Sequence, residues 1–394
     1  MRVGVAIVLA SFSLALAYRP LHGQMPVGAT SALETIHMVG AENGWGVSIE
    51  YPSGVRTLLR TTDGGIRWKS ITPLSSSGQQ ISIGGITVFS SLIVWVSRIN
   101  PNGSATSEIF RTIDGGLTWR SATIAAREVT WISFINPRDG WLIAFIDAGM
   151  GNENVDIYRS TDGGEIWIKV ASARDSGGGS GLPYGDKSSI TFVNPTTGWT
   201  TGLGPKPDSL YLYVTRDGGS TWRPQSLPLP SQRHQNRPIP PDMTPHWIGS
   251  AQPPKFFTVR DGIMRVGFAH YLLNDSTGDT RDTRPVVVFY VTHDSGTTWT
   301  YTTPVPVGEG DYRRPSSFAD IEHGWVNEKD ALFVTSDGGQ RWTTMRPGKF
   351  FTEVTQLDFV SPQVGWVVRQ RSQHLLKTVD GGRTWSPVPY TILR

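Results

Sequence analysis

The chain contains no cysteine. Disulfide bonds and thiolate metal sites are excluded, so its stability must come from buried apolar surface. Charge is sparse as well. Charged residues make up 18% of the chain, and 36 basic side chains against 33 acidic ones leave a net charge of +3. No basic run or tail is present, and a nucleic-acid partner is not expected. No histidine pair has metal-ligand spacing, and neither a phosphate-cradling glycine loop nor a nucleophile elbow occurs. No cofactor is expected. Beyond the first residues no apolar run is long enough to span a membrane.

The one apolar run lies at the start. Met1-Arg2 precedes an apolar stretch from Val3 to Leu16, and Ala15-Leu16-Ala17 reads small–x–small. This is the pattern of a secretory signal over residues 1–17. The run is short for a spanning helix, and no cysteine follows it to carry a lipid. The expectation is an exported protein with no transmembrane segment in its mature form. A segment 18–32 then precedes a single folded domain, 33–394. A retained N-terminal anchor is the alternative.

What the chain has in abundance is glycine, with 44 residues, and tryptophan, with 15. Both fall into a repeated word, hydroxyl–x–Asp–x–Gly–x–x–Trp, seen in Thr335-Ser336-Asp337-Gly338-Gly339-Gln340-Arg341-Trp342. It occurs seven times, centred on Asp63, Asp114, Asp162, Asp217, Asp294, Asp337 and Asp380. A β-branched or apolar run precedes each copy. Asp accepts backbone N–H bonds from residues just ahead, Gly supplies positive φ, and Trp opens the next strand with a large ring to bury. Each copy therefore reads as a hairpin turn, called here the Asp turn. Seven equivalent catalytic or metal-binding sites on one chain would be a poor account of the same pattern.

A second word, Gly-Trp, stands upstream of most turns: Gly44-Trp45, Gly140-Trp141, Gly198-Trp199, Gly324-Trp325 and Gly365-Trp366. The second unit has Trp95 without the Gly, and the fifth has Gly262-Ile263-Met264. The unit is thus strand, short turn, Gly-Trp strand, loop, strand, Asp turn, Trp strand. Successive aspartates are 43 to 77 residues apart, and the shortest spacing matches the ~40–45 residues of a four-stranded propeller blade. The expected fold is all-β, a single seven-bladed β-propeller of four-stranded antiparallel blades.

The turn word resembles that of the Asp-box (BNR) repeat family, whose known folds are β-propellers with the box between the third and fourth strands of a blade. Together with the Gly-Trp strands, from about Leu33 to Tyr390, the chain is most similar to exported propellers of the photosystem II assembly and stability factor type. The shared residues are structural, so the resemblance implies a fold and leaves function open.

Strand alternation places the Gly-Trp turns and Asp turns on one face of the disc and the longer connections on the other. Asp147–Asp156 and Asn274–Arg284 read as long internal loops. Ala173–Lys187, Gln225–His246 and Pro304–Ser316 read as long inter-blade loops. Candidate binding residues on that face are Tyr184, Lys187, Arg233, His234, Arg237, His246, Trp247, Tyr312, Arg313 and Arg314. Loops on a rigid scaffold are where binding residues concentrate. The expected partner is a protein or an extracellular anionic or glycan ligand, bound by a monomer.

The Asp-box fold also hosts sialidases, which require an arginine triad, an acid/base Asp and a Tyr/Glu pair. The first inner strand, Leu33-Glu34-Thr35-Ile36-His37-Met38, contains no Arg. Arg98, Arg265 and Arg369 lie on second strands, where a substitute set would have to converge. A binding or assembly propeller without catalysis is the leading expectation, and a sialidase-like glycoside hydrolase is the alternative. The mature protein, recovered from outside the host membrane, should begin at Tyr18 by N-terminal sequencing; a chain that keeps residues 1–17 identifies an anchor instead.

Overall fold

The computed structural model describes residues 31–394 apart from 101–103, 150–151, 175–180, 184, 205–207, 231–241, 275, 278–279, 309–313, 349–350, 352 and 394. The expected signal, 1–17, lies outside the described residues.

Each Asp turn closes as its residues require. In the sixth, Thr335 Oγ1 donates to Asp337 Oδ1 (2.9 Å) and accepts the Gly339 N–H (2.8 Å), while Asp337 Oδ1 accepts the Arg341 N–H (2.9 Å). Gly338 and Gly339 have φ of 67° and 87°, where a side chain would be strained. Strands Ala331–Thr335 and Thr343–Met345 pair across the turn, with Val334 opposite Thr343.

These hairpins extend into seven antiparallel four-stranded sheets in chain order, arranged as a seven-bladed β-propeller with no α-helix among the described residues. Blade 1 runs from Ser31–Met38 to Arg67–Ser70, blade 2 from Ile83–Val88 to Arg120–Ile124, and blade 3 from Glu128–Phe134 to Ile168–Ala173. Blade 4 runs from Asp186–Phe192 to Arg223–Pro224, blade 5 from Thr244–Ala251 to Thr300–Tyr301, blade 6 from Ser316–Phe318 to Thr343–Met345, and blade 7 from Val354–Phe359 to Ser386–Pro389. A last strand, Thr391–Leu393, leaves blade 7 and pairs in parallel with the outer strand of blade 1. The repeat pattern did not anticipate this fifth strand.

The first strand of each blade lies innermost. Its free edge is covered sideways by the neighbouring first strand: the Ile36 N–H donates to Gln356 Oε1 (2.9 Å), the Met38 N–H to Asp358 Oδ2 (2.7 Å), and Thr87 Oγ1 to Ile132 O (2.5 Å). An unpaired edge facing the channel would otherwise leave backbone groups unsatisfied.

The blades are joined by the Gly-Trp words. Trp45, Trp95, Trp141, Trp199, Trp325 and Trp366 are at most 1% exposed. Trp95 stacks on Phe134 of the next blade at 3.6 Å between centroids, Trp141 on Phe192 at 3.7 Å, and Trp325 on Phe359 at 3.6 Å. The Gly explains itself here. A Cβ on Gly140, Gly198 or Gly365 would come within 2.4–2.6 Å of that same phenyl ring. Where blade 2 has Val94 in place of Gly, the facing residue is Val88 rather than Phe. Four of the indole N–H groups donate to the next Asp turn, Trp95 to Gly163 O (2.8 Å), Trp141 to Gly218 O (2.9 Å), Trp325 to Gly381 O (2.9 Å) and Trp366 to Gly64 O (3.1 Å), whereas Trp45 donates to Ser90 O (2.9 Å) and Trp199 to Gln225 Oε1 (2.6 Å).

Two expectations require correction. The segments read as long internal loops in blades 3 and 5 are largely extended hairpins, with Gly149 paired to Asn152 and Leu273 to Thr280. Ladder pairing absorbs residues that length alone assigned to loop. The turn tryptophans are also not uniformly buried. Trp68, Trp222 and Trp299 are buried, whereas Trp119, Trp167, Trp342 and Trp385 are half-buried on the outer strands. In urea unfolding, Trp141→Ala should therefore cost ~3–5 kcal/mol and Trp342→Ala distinctly less. Gly140→Ala should cost ~1–3 kcal/mol, by overpacking against Phe134.

Candidate binding faces

In every blade the residue after the turn aspartate donates its N–H to the carbonyl of the blade's first turn. Gly64 reaches Glu42 O (2.8 Å), Gly163 Arg138 O (2.8 Å), Gly338 Glu322 O (2.9 Å) and, in blade 5, Ser295 Arg260 O (3.0 Å). Both short turns of a blade thus share one face of the disc. The turn carboxylates are committed to their own backbones. Hydrogen bonds from the side chain and N–H of Thr118, Arg341 and Thr384 hold Asp114, Asp337 and Asp380 down at about 2. Asp294 also lies at about 2, since the Thr298 bonds outweigh its partial desolvation. Asp63, Asp162 and Asp217 are lowered in the same way, against a desolvation that raises them. Among the described residues no group of three or more His, Asp or Glu side chains is placed to hold a metal ion.

Of the expected binding residues, the structure describes Lys187, His246, Trp247 and Arg314. Tyr184, Arg233, His234, Arg237, Tyr312 and Arg313 lie outside the described residues. Lys187 is 1% exposed. Its ammonium donates to Asn152 Oδ1, Glu153 O and Gly185 O, each at 2.8 Å, and so ties the blade 3 hairpin to the first strand of blade 4. His246 Nδ1 meets Asp208 Oδ2 at 2.6 Å, and the Trp247 N–H donates to Asp208 Oδ1 at 2.7 Å. Trp247 packs edge-on to Phe268, and His246 lies parallel to Tyr271. Arg314 pairs with Glu328 at 2.6 Å. The structure thus brings His246 and Trp247 together on blade 5 and places Lys187 and Arg314 in separate local networks.

The sequence reading missed a group of acids. Glu128 and Asp186 open the first strands of blades 3 and 4, at the loop-face mouth of the channel, and Glu153 stands beside them on the blade 3 hairpin. Burial pushes all three carboxyls up. Arg56 opposes the shift at Glu128, Lys187 opposes it at Asp186, and at Glu153 the Lys187 N–H opposes burial while Asp186 and Glu128 add to it. Arg56 itself pairs with Glu34 at 2.7 Å. An acidic residue opening each of two successive inner strands was the available signal.

At the turn-face end of the channel, burial lowers His37 to about 4 and raises Asp358 to about 6, the latter opposed by the Met38 N–H and the charge of Lys255. Lys255 donates to Phe318 O at 2.8 Å, and its own pKa is lowered by desolvation. Of the arginines weighed as a substitute set, Arg265 is buried on blade 5. Arg98 pairs with Glu108 at 2.6 Å and Arg369 bonds Ser372 Oγ at 3.1 Å, each within its own blade.

Neither a protein-family pattern nor a curated protein sequence matches the chain. Solved structures do. It is similar to YCF48 bound to D1 peptide, with 17% identity over 76% of this chain and 93% of that one and a TM-score of 0.33. It is similar to the GH74 xyloglucanase from Xanthomonas campestris, with 10% identity over 89% and 79% and a TM-score of 0.38. A prolyl endopeptidase matches with 12% identity over 91% of this chain, which spans 48% of that protein, at a TM-score of 0.52. At these identities the likeness is one of fold.

The titrations carry a sign. His37 titrates near 6.5 when unfolded and near 4 when folded, so the stability it contributes is complete above ~6.5 and lost as pH falls toward 4. The turn aspartates act in the same sense from ~4 down to about 2, whereas Asp358, raised to about 6, runs oppositely between ~4 and 6. Thermal midpoints measured against pH should show the wild type losing ground to His37→Gln between pH 6.5 and 4, then both falling together toward pH 2.

Proposed function

We propose that the protein is an exported propeller that binds rather than catalyses and that engages its partner on the face opposite the Asp turns. The observation that carries this reading is that each turn carboxylate, the acid supplied by every repeat, is spent on its own backbone. Recognition then falls to residues peculiar to blades 3 to 5. The channel mouth there presents Glu128, Glu153 and Asp186 near Arg56, and blade 5 adds the His246–Trp247 pair held by Asp208. With the basic side chains expected from 231–241 and at 313, the face would offer both signs of charge beside aromatic rings. That mixture suits a protein segment better than a simple anion, since each charge needs its own opposite. In this reading the chain acts as a monomer.

A glycoside hydrolase remains the second reading, favoured by one feature: carboxyls with raised pKa grouped at the channel mouth are the kind of environment a catalytic acid requires. The two readings part on a single set of variants. Removal of residues 231–241 together with His246→Ala and Trp247→Ala should leave a folded ring that no longer retains partners captured by the whole chain. Sialosides and other glycosides should show no turnover. Undiminished capture by the altered chain, or hydrolysis abolished by Glu128→Gln or Glu153→Gln, overturns the binding reading.

A further inference from the structure

Five blade junctions share a basic clasp. A basic residue next to the hydroxyl of the turn word lies against the junction tryptophan, before the hydroxyl in four cases and after it in blade 4, where Val214 stands opposite Trp199: Arg60 by Trp45 at 5.7 Å, Arg111 by Trp95 at 5.9 Å, Arg159 by Trp141 at 5.2 Å, Arg216 by Trp199 at 5.9 Å and Lys377 by Trp366 at 4.9 Å. Most clasps also reach a carbonyl of the next blade. Arg60 Nη1 donates to Gly115 O (3.1 Å), Arg111 Nη1 to Asp162 O (3.3 Å) and Arg111 Nη2 to Pro137 O (3.5 Å).

The other two junctions lack the clasp for different reasons. Between blades 5 and 6 both members are replaced, Ile263 standing opposite Val291 in an apolar cluster. Between blades 6 and 7 the tryptophan is kept and only the cation is lost: Trp325 stands opposite Val334. The ring stack and the indole bond repeat the junction of blades 2 and 3. Trp325 stacks on Phe359 as Trp95 does on Phe134, and its N–H meets Gly381 O as that of Trp95 meets Gly163 O. The vacated space is measurable. A Cβ on Gly163 would strike the Arg111 guanidinium at 2.3 Å, whereas one on Gly381 meets only Pro362 O, at 2.9 Å. A cleft of about 570 Å³ opens there, lined by Trp325, Val334, Asp337, Pro362, Asp380 and Arg383 among others. The groove between blades 1 and 2 is as large but contains its clasp, Arg60.

We infer that the cleft between blades 6 and 7 binds a guanidinium or primary ammonium group, the arginine or lysine side chain of a partner or a free amine, in the position that Arg111 fills between blades 2 and 3. Pro362 O and Asp380 O correspond to the carbonyls that Arg111 uses, and the Trp325 ring can give a cation the attraction that the Trp95 ring gives Arg111. Two cations already line the cleft. Arg341 is neutralised by Asp337 at 2.8 Å, and Arg383 is exposed, donating to Asp380 O at 3.0 Å from the rim. In blade 3 the position of Arg383 is held by Glu165, which lies 3.8 Å from Arg111. This site is on the turn face and does not depend on the function proposed for the loop face.

The Trp325 indole ¹H–¹⁵N signal, assigned with Trp325→Phe, reports on the cleft. Arginine amide and the peptide acetyl-Gly-Arg-Gly-amide should each shift it saturably; tighter binding of the peptide identifies a partner side chain, and equal binding a free cation. Val334→Arg should supply the clasp internally and weaken both by about tenfold or more, while Val334→Ala retains them. Arg383→Glu should tighten both and keeps the test open if Val334→Arg does not fold. The inference fails if neither cation gives a saturable shift, if sodium acetate shifts the signal and the cations do not, if folded Val334→Arg binds like the wild type, or if Arg383→Glu weakens binding.

Discussion

The ring rests on what closes its blade junctions, in six of seven a buried tryptophan; between blades 2 and 3, 3 and 4, and 6 and 7 it stacks on the next blade's phenylalanine with its N–H anchored to the next Asp turn. A large ring removed from water supplies the energy, and stacking with a hydrogen bond supplies the geometry. Because the bond ends on a turn carbonyl, blade order and the shape of every turn are set together. The Asp turn is less an ornament of one hairpin than the socket of its neighbour. That is why its carboxylate stays within its own loop: an aspartate free to serve a ligand would loosen the carbonyl that holds the adjoining blade.

That commitment divides the molecule. One face is a wreath of seven locked turns, with polar groups satisfied at short range. The other face carries hairpins and connections that differ from blade to blade, and there the acids of the channel mouth and the pair on blade 5 lie. Only where the repeat breaks does the turn face acquire individuality, as at Val334.

Much of this was legible in the chain. The turn word and Gly-Trp word specify hairpins by local chemistry, and their count specifies the blades. Even the coupling of Gly to an aromatic six residues earlier can be read in Phe134 and Gly140, Phe192 and Gly198, or Phe359 and Gly365. The site was less legible, because exposure and pairing are tertiary properties. Lys187 looks like a surface cation in sequence and is a buried tie, since its partners Asn152 and Glu153 come from another blade. Arg314 likewise finds Glu328 only once the sheet of blade 6 has formed. The long segments of blades 3 and 5 were misjudged because a loop and an extended hairpin have the same length until register is known.

The seam between blades 7 and 1 has a further consequence. Its bonds join the most distant parts of the folded chain: Gln356 to Ile36, Asp358 to Met38, and Tyr390 to Leu33, with Thr391–Leu393 laid along the outer strand of blade 1. Six junctions form between neighbours in sequence, but this one carries a loop-closure cost over some three hundred residues. The ring therefore behaves like a zipper with a single clasp. The high sequence separation of its contacts makes closure of this seam the entropically costliest junction to form. Until the seam closes, both terminal blades expose an apolar flank, and a chain not yet complete to Leu393 stays adhesive.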